Sequence, residues 1–327
     1  MPKNLNMTTL VADVGGTNTR IALAQDGTIN RTAIQRYANR DFDSLHAVIQ
    51  RYCDASSAGQ ITAACVAIAG PVENGTGHLT NLNWSIDHAS LKKVTGADTV
   101  AVINDLQAQA HALQDLPNSA FEKVLSLPAP RQDFQSHGAK LVIGIGTGCN
   151  AALALTDASG VRVPASETGH IGLPVRSQED LDLMLYLQNK QGFASVEHVL
   201  AGSGLETVYQ YFAQTAGQAH SLSAHQIMAA MADASDPLAR QTVQITVRLL
   251  AQLCADLALI HLPYGGIYLV GGVARALMPY LKPCDFAASF YAMGRFSKVM
   301  ERFEVALVHD DYAALTGCAN ALDGLRS

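Results

Sequence analysis

Two turns built from small residues, and a few carboxylates elsewhere in the chain, are the places where this sequence could do chemistry. The first turn, Gly15-Gly16-Thr17-Asn18, lies inside an apolar stretch that begins at Leu10 and resumes through Leu23. The second, Gly146-Thr147-Gly148, separates Leu141–Ile145 from Ala151–Leu155. Each reads as a β-hairpin whose tip exposes backbone N–H groups, and unpaired amides in a tight turn attract anions. Two such tips, with Asp13 just ahead of the first glycine pair, could hold a polyphosphate from both sides. The competing reading of either turn alone is an ordinary hairpin.

Asn104-Asp105 follows Thr99–Ile103, an apolar run without alternation that reads as a central strand. Ligands of open α/β sheets bind just beyond the carboxyl ends of such strands. Asp105 could accept a proton from a hydroxyl nucleophile there, and Asn104 could hydrogen-bond the same polyol. Alternatively, Asp105 caps the helix that begins at Leu106.

Glu167 and His170 sit in a glycine- and proline-punctuated loop. Two such residues with no cysteine nearby fall short of a zinc set. They read as a sugar clamp or as a solvated turn. Glu197 is expected near the start of a helix running from Ser195 to Leu200, where the helix dipole alone would favour it. Gly202-Ser203-Gly204 could bind an anion, although Ser203 as an N-cap accounts for it too. Asn81 and Asn83 flank a turn-rich segment beside Trp84, which is expected to be a buried anchor; either asparagine could contact sugar.

Several function classes are excluded. No Gly-Lys-Ser/Thr occurs, so there is no P-loop, and Gly144, Gly146 and Gly148 have the wrong spacing for a dinucleotide fingerprint. The net charge of −6 comes with no basic block, which argues against nucleic acid and anionic membranes as partners. Six cysteines without a C-x-x-C pair read as reduced thiols of a cytoplasmic protein. No apolar run reads as a membrane span, and no apolar leader is expected over Met1–Thr9.

The elements that must position these residues form an α/β pattern. Strands are expected near 8–14, 19–25, 62–69 and 99–103, a second hairpin from Leu141, and a strand at 266–270. Helices are expected over 42–53, 86–94, 106–113, 178–188, 195–200, 205–215, 224–232, 237–261, 273–280 and 312–325. A linker-like stretch, 125–138, precedes the second hairpin. At 327 residues the chain is long enough for two cored domains.

Five segments in order, DVGGTNTRIAL, AGPVENG with LTNLNW, IGTGCNAAL, IYLVGGVA and AALTGCANAL, resemble the phosphate-1, connect-1, phosphate-2, adenosine and connect-2 motifs of the hexokinase/actin/Hsp70 superfamily. Within it, INDLQA, SETGH and VEHVLAGSGL resemble the bacterial ATP-dependent glucokinase family, over roughly Leu10 to Leu325. The resemblance implies a two-domain actin-like ATPase (ribonuclease H-like) fold with an interdomain cleft. Residues 1–115 would be the small domain and 116–310 the large one, with 311–327 a helix returning to the small domain.

It also implies ATP-dependent phosphorylation of glucose to glucose 6-phosphate, by a cytoplasmic homodimer. Ala12, Asp13, Val14, Gly15, Gly16, Thr17 and Asn18 would cradle ATP phosphates, with Asp13 reaching Mg²⁺ through water. Gly146, Thr147 and Gly148 would close on the phosphates, and Gly271-Gly272 would admit the adenosine. Asn104, Asp105, Glu167, His170 and Glu197 would hold glucose, with Asp105 as general base. The cysteine-rich zinc motif of repressor/kinase relatives is missing after His170. Kinases for other hexoses, a non-catalytic sugar sensor and an actin-like assembly protein are the rival readings.

Overall fold

A computed structural model of the chain describes residues 8–56, 59–79, 82–128, 138–158, 160–218 and 220–323. Asn81 and most of the 125–138 stretch lie outside the described residues. The chain divides into two compact units. One comprises the residues up to Pro117 with 154–165 and those from Asp310 on; the other comprises 118–153 and 166–309.

In the first unit, β1 (Thr8–Val14) and β2 (Asn18–Gln25) form the expected hairpin, closing at the pair Val14–Thr19. β1 runs parallel to β3 (Ile61–Ile68), and β3 runs parallel to β4 (Thr99–Asn104). Alternation along β1 feeds two cores. Leu10, Ala12 and Val14 pack with Leu45, Val48, Ile49 and Tyr52 of the helix Leu45–Ala55. Val11 faces a cluster with Cys65, Ala67, Leu315, Cys318 and Leu322, where the C-terminal helix Ala313–Asp323 lies against α1 (Asp105–Ala112). Each fully buried Leu or Ile here contributes roughly 1.5–3 kcal/mol. Those two helices approach so closely that a Cβ at Gly317 would fall on the carbonyl of Ala108.

The second unit is built on β5 (Lys140–Ile145), β6 (Cys149–Asp157) and β7 (Ile267–Val270). β7 lies parallel to β5 on one side and to the strand Val305–Val308 on the other. The far end of β6 groups with the first unit. α2 (Gly202–Thr215) and α3 (Pro237–His261) supply most of the helical core. Asp236 caps α3 by accepting from the Leu238 amide at 2.8 Å, and Pro237 occupies the first turn where its missing N–H costs nothing. By length and composition α3 could cross a membrane, contrary to the expectation that no run would. Most of that stretch is buried, the signature of a core helix. α4 (Gly272–Leu281) follows β7 directly.

Three sequence expectations are corrected. Ile86 belongs to a short strand, Ser85–Asp87, and the helix begins after it at His88, capped by Asp87. Residues 195–200 form turns rather than a helix, held by bonds such as Leu200 N–H to the Val196 carbonyl. Ser203 is not an N-cap: α2 starts at Gly202, and Ala201 occupies the cap position without a side-chain bond. Trp84 is buried, as expected of an anchor.

Candidate active site

The turn between β1 and β2 is braced from behind by Asn39. Its side-chain amide donates to the Gly15 carbonyl at 2.7 Å, its backbone N–H donates to the Thr17 carbonyl at 2.9 Å, and its Oδ1 accepts from the Thr19 hydroxyl at 2.8 Å. Gly15 N–H closes the turn onto the Asn18 carbonyl at 3.0 Å. The Gly15, Thr17 and Asn18 carbonyls are thus occupied, while the Gly16 and Thr17 amides meet no protein acceptor among the described residues. A cavity of about 370 Å³ opens on Gly16, Thr17 and Asn18, with Arg36 and Arg40 in its wall. Such a tip offers N–H groups and positive charge to an anion. Nothing in the sequence near Asn39 marks it as the brace.

Where β4 ends and α1 begins, the Asn-Asp pair divides two tasks. Asn104 is the N-cap of α1: its Oδ1 accepts from the Leu106 amide at 2.9 Å, Gln107 completes a capping box, and its Nδ2 donates to the Gly70 carbonyl at 3.1 Å. Asp105 sits at the first helical position, one Oδ against the Leu106 N–H at 2.9 Å, so the cap does not consume its carboxylate. Asp105 is half-buried, and loss of solvent, reinforced by the negative charge of Asp13, pushes its carboxyl up to about 7. Burial also raises the Asp13 carboxyl, against the opposing pull of Arg20, whose guanidinium lies 3.3 Å away.

In the second unit two glycine turns, Gly146–Gly148 and Gly271–Gly272, meet at one edge. Gly144 of β5 pairs with Val270 of β7, so the turns leave neighbouring parallel strands at their carboxyl ends. Gly271 has φ +102°, and a Cβ there would strike the Ile145 carbonyl, so only glycine fits. At Gly272 a Cβ would meet open space. Gly146 N–H closes onto the Gly148 carbonyl at 2.9 Å, and Gly202 N–H, at the uncapped start of α2, donates to the Gly146 carbonyl at 2.9 Å.

The loop that carries Glu167 and His170, together with Glu197, lies beside the Gly146–Gly148 turn. Glu197 Oε2 accepts from the Cys149 amide at 2.8 Å, and its own N–H donates to the Gly169 carbonyl at 2.9 Å. A Cβ on Gly148 would come within 2.6 Å of that carboxylate, and one on Gly169 would fall on the Cys149 carbonyl. Both glycines therefore exist to let turn and loop touch. Glu167 and His170 are exposed, and their side chains have no protein partner among the described residues, which leaves them open to a ligand. Glu167, His170 and Glu197 thus gather with Gly146–Gly148 in one unit, while Asn104, Asp105, Asp13 and the first turn gather in the other. Asn83 is exposed and takes no part in either group.

The sequence profile of the glucokinase family matches residues 10–324. The chain is 32% identical to a glucokinase of Saccharophagus degradans over 321 residues, covering 97% of this chain and 98% of that protein. It is likewise 32% identical to a glucokinase of Marinobacter nauticus, covering 96% of each. The crystal structure of a glucokinase from an Antarctic psychrotroph superposes with a TM-score of 0.85 at 29% identity, covering 98% of this chain and 99% of that one. The fold is that of the actin-like ATPases. With profile, relatives and fold in agreement across almost its whole length, the chain belongs to the glucokinase family of enzymes.

Proposed function

We propose that this chain transfers the γ-phosphoryl group of ATP to the 6-hydroxyl of D-glucose, with Asp105 as general base. The observation that carries the reading is a carboxylate spared from capping by Asn104 and raised to about 7 beside Asp13. A base is most effective when its pKa lies near the working pH, because it is then both ionised and basic enough to take a proton. Asp105 would accept the hydroxyl proton as that oxygen attacks the γ-phosphorus in line, and the bond to the leaving ADP breaks.

Charge on the transferred group would be met by the Gly16 and Thr17 amides and by the Gly146–Gly148 turn. Gly271 and Gly272 would let the adenosine come close to the backbone. Glu167, His170, Glu197 and Asn104 would hold the sugar's other hydroxyls. Orientation of the attacking oxygen is a large part of the catalytic task, and it falls to these side chains.

The residues fit a magnesium ion. Asp13 and Asp105 form a pair of carboxylates with raised pKa values, and Arg20 offsets the charge of Asp13 alone. No cluster of three ligating side chains exists among the described residues, which suits a cation that keeps several waters and leans on substrate phosphates. Asp13 would hold it through water, and the ion would supply Lewis-acid neutralisation of phosphate charge. The same reading carries a homodimer in the cytoplasm; exposed Ile171, Val175, Leu185 and Phe193 offer apolar surface that a second copy could cover.

The test is ADP release measured with ATP and a panel of glucose, fructose, mannose and N-acetylhexosamines. Glucose should give the highest kcat/KM, and Asp105→Asn should lower kcat by at least ~10²-fold. Turnover that ignores sugar, or a variant with near-normal kcat, refutes the proposal.

A further inference from the structure

We infer that Asn150 is a positioning residue that couples the nucleotide turn to the sugar loop, so that either ligand tightens the site for the other. The inference rests on the kinase reading above and names a residue that reading does not use. Asn150 stands at the second position of β6, two residues beyond Gly148. Its Nδ2 donates to the Ser166 carbonyl at 2.6 Å, and its Oδ1 accepts from the Thr168 amide at 2.8 Å. The same oxygen accepts from the Ala151 amide at 2.7 Å, so the donors and acceptors around it fix which way the side-chain amide points.

Ser166 and Thr168 flank Glu167. One side chain thus pins the backbone on both sides of a sugar-loop carboxylate that has no protein partner of its own. The Ser166 and Thr168 hydroxyls, 2.7 Å apart, close the small ring. In the opposite direction Glu197, from the sugar set, accepts from the Cys149 amide of the nucleotide turn. Turn and loop therefore brace each other through adjacent residues, Cys149 and Asn150, with Gly148 and Gly169 leaving no room for slack.

Such a brace has an energetic consequence. A phosphate group that orders the Gly146–Gly148 turn also fixes Asn150, and so orders Glu167 before sugar arrives. The sugar then meets a site whose ordering has already been done, and by reciprocity sugar must strengthen nucleotide binding by the same factor. An asparagine that merely closed a surface loop would affect stability and nothing else.

The experiment compares wild type with Asn150→Ala and Asn150→Asp. Glucose affinity is measured by calorimetry with and without a non-hydrolysable ATP analogue, alongside kcat and glucose KM. Amide hydrogen exchange of the peptide spanning 163–172 is followed with the analogue alone. In Asn150→Ala, glucose KM should rise about tenfold, the loss expected for unpaired loop amides, while kcat changes less than about threefold. The analogue should no longer improve glucose binding, and its protection of the 163–172 peptide should vanish. Asn150→Asp keeps the acceptor for Thr168 but sets an oxygen against the Ser166 carbonyl, so its deficit relative to wild type should shrink as pH falls and the carboxyl protonates.

The inference is overturned if Asn150→Ala retains glucose KM within twofold and the same analogue-induced protection as wild type. A melting temperature that drops with those readouts unmoved also overturns it. Should wild type show no sugar-dependent turnover, the kinase reading fails, while the exchange experiment still decides whether turn and loop are coupled.

Discussion

Replacing Asp105 by asparagine should remove most turnover and at the same time stabilise the folded protein in mildly alkaline solution. The carboxyl is raised to about 7, first by loss of solvent and then by the Asp13 charge. Its value in the unfolded chain is about 3.9. A folded-state pKa above the unfolded one leaves stability intact below pH ~4 and removes it progressively as pH rises through ~7. Relative to a neutral side chain of the same shape, the penalty is about 4 kcal/mol at pH 8, about 1.5 kcal/mol at pH 5 and under ~1 kcal/mol near pH 4. These values are ceilings, because solvent reaches the half-buried side chain. Asparagine keeps an Oδ1 that can accept from the Leu106 amide, so little else is lost. Urea unfolding of both proteins at pH 8 and pH 5, without substrates, reads the difference as a shift in midpoint. The variant should be the more stable at pH 8, by a margin that narrows toward pH 5 and shrinks again at pH 8 when Mg²⁺ is added. A variant that is no more stable at pH 8, or a margin independent of pH, would refute the electrostatic account of the site.

Asp13→Asn removes the like charge that helps to raise Asp105. The acidic limb of log kcat/KM against pH should move downward by up to ~1 unit, and the Mg²⁺ requirement should rise; an unmoved limb would detach the two carboxylates. Gly317→Ala places a methyl on the Ala108 carbonyl and must push the C-terminal helix away from α1. It should cost about 1–3 kcal/mol by urea unfolding while leaving glucose KM near wild type; an unchanged midpoint would contradict the close approach.

Strands β1 to β7 were readable because their apolar runs are mostly bounded by glycine turns, whereas Val305–Val308, which pairs with β7 in the same sheet, and Phe121–Leu125 beside it were not expected. The core helix Pro237–His261 was readable to the residue, since Asp236 and Pro237 announce its start and its apolar positions recur with helical spacing. Residues 195–200 misled because Val196, Val199 and Leu200 mimic a helical face; what holds them is contact with the 167–171 loop, through bonds such as Glu197 N–H to the Gly169 carbonyl. Asn39 and Asn150 left no readable mark. Their partners, Gly15 and Ser166, lie 24 and 16 residues away, beyond any local pattern. The glycines were legible as turns, but the reason for Gly148, Gly169 and Gly271, a carboxylate or carbonyl where a Cβ would sit, belongs to the packed molecule.

The Asn104-Asp105 pair shows why one weighing of the sequence could not be settled before the fold was in hand. An aspartate at the end of a strand and the start of a helix can cap that helix, and a capping carboxylate is held by backbone N–H groups that depress its pKa. Asn104 takes that duty instead, together with Gln107, and fixes the start of α1 without any charge. Asp105 then meets too few donors to offset its burial, and its proton affinity rises. The same arrangement that raises the carboxylate's proton affinity makes it a liability to the folded state. Shifting the cap to Asp105, as Asn104→Ala would invite, should therefore trade basicity for stability rather than improve both.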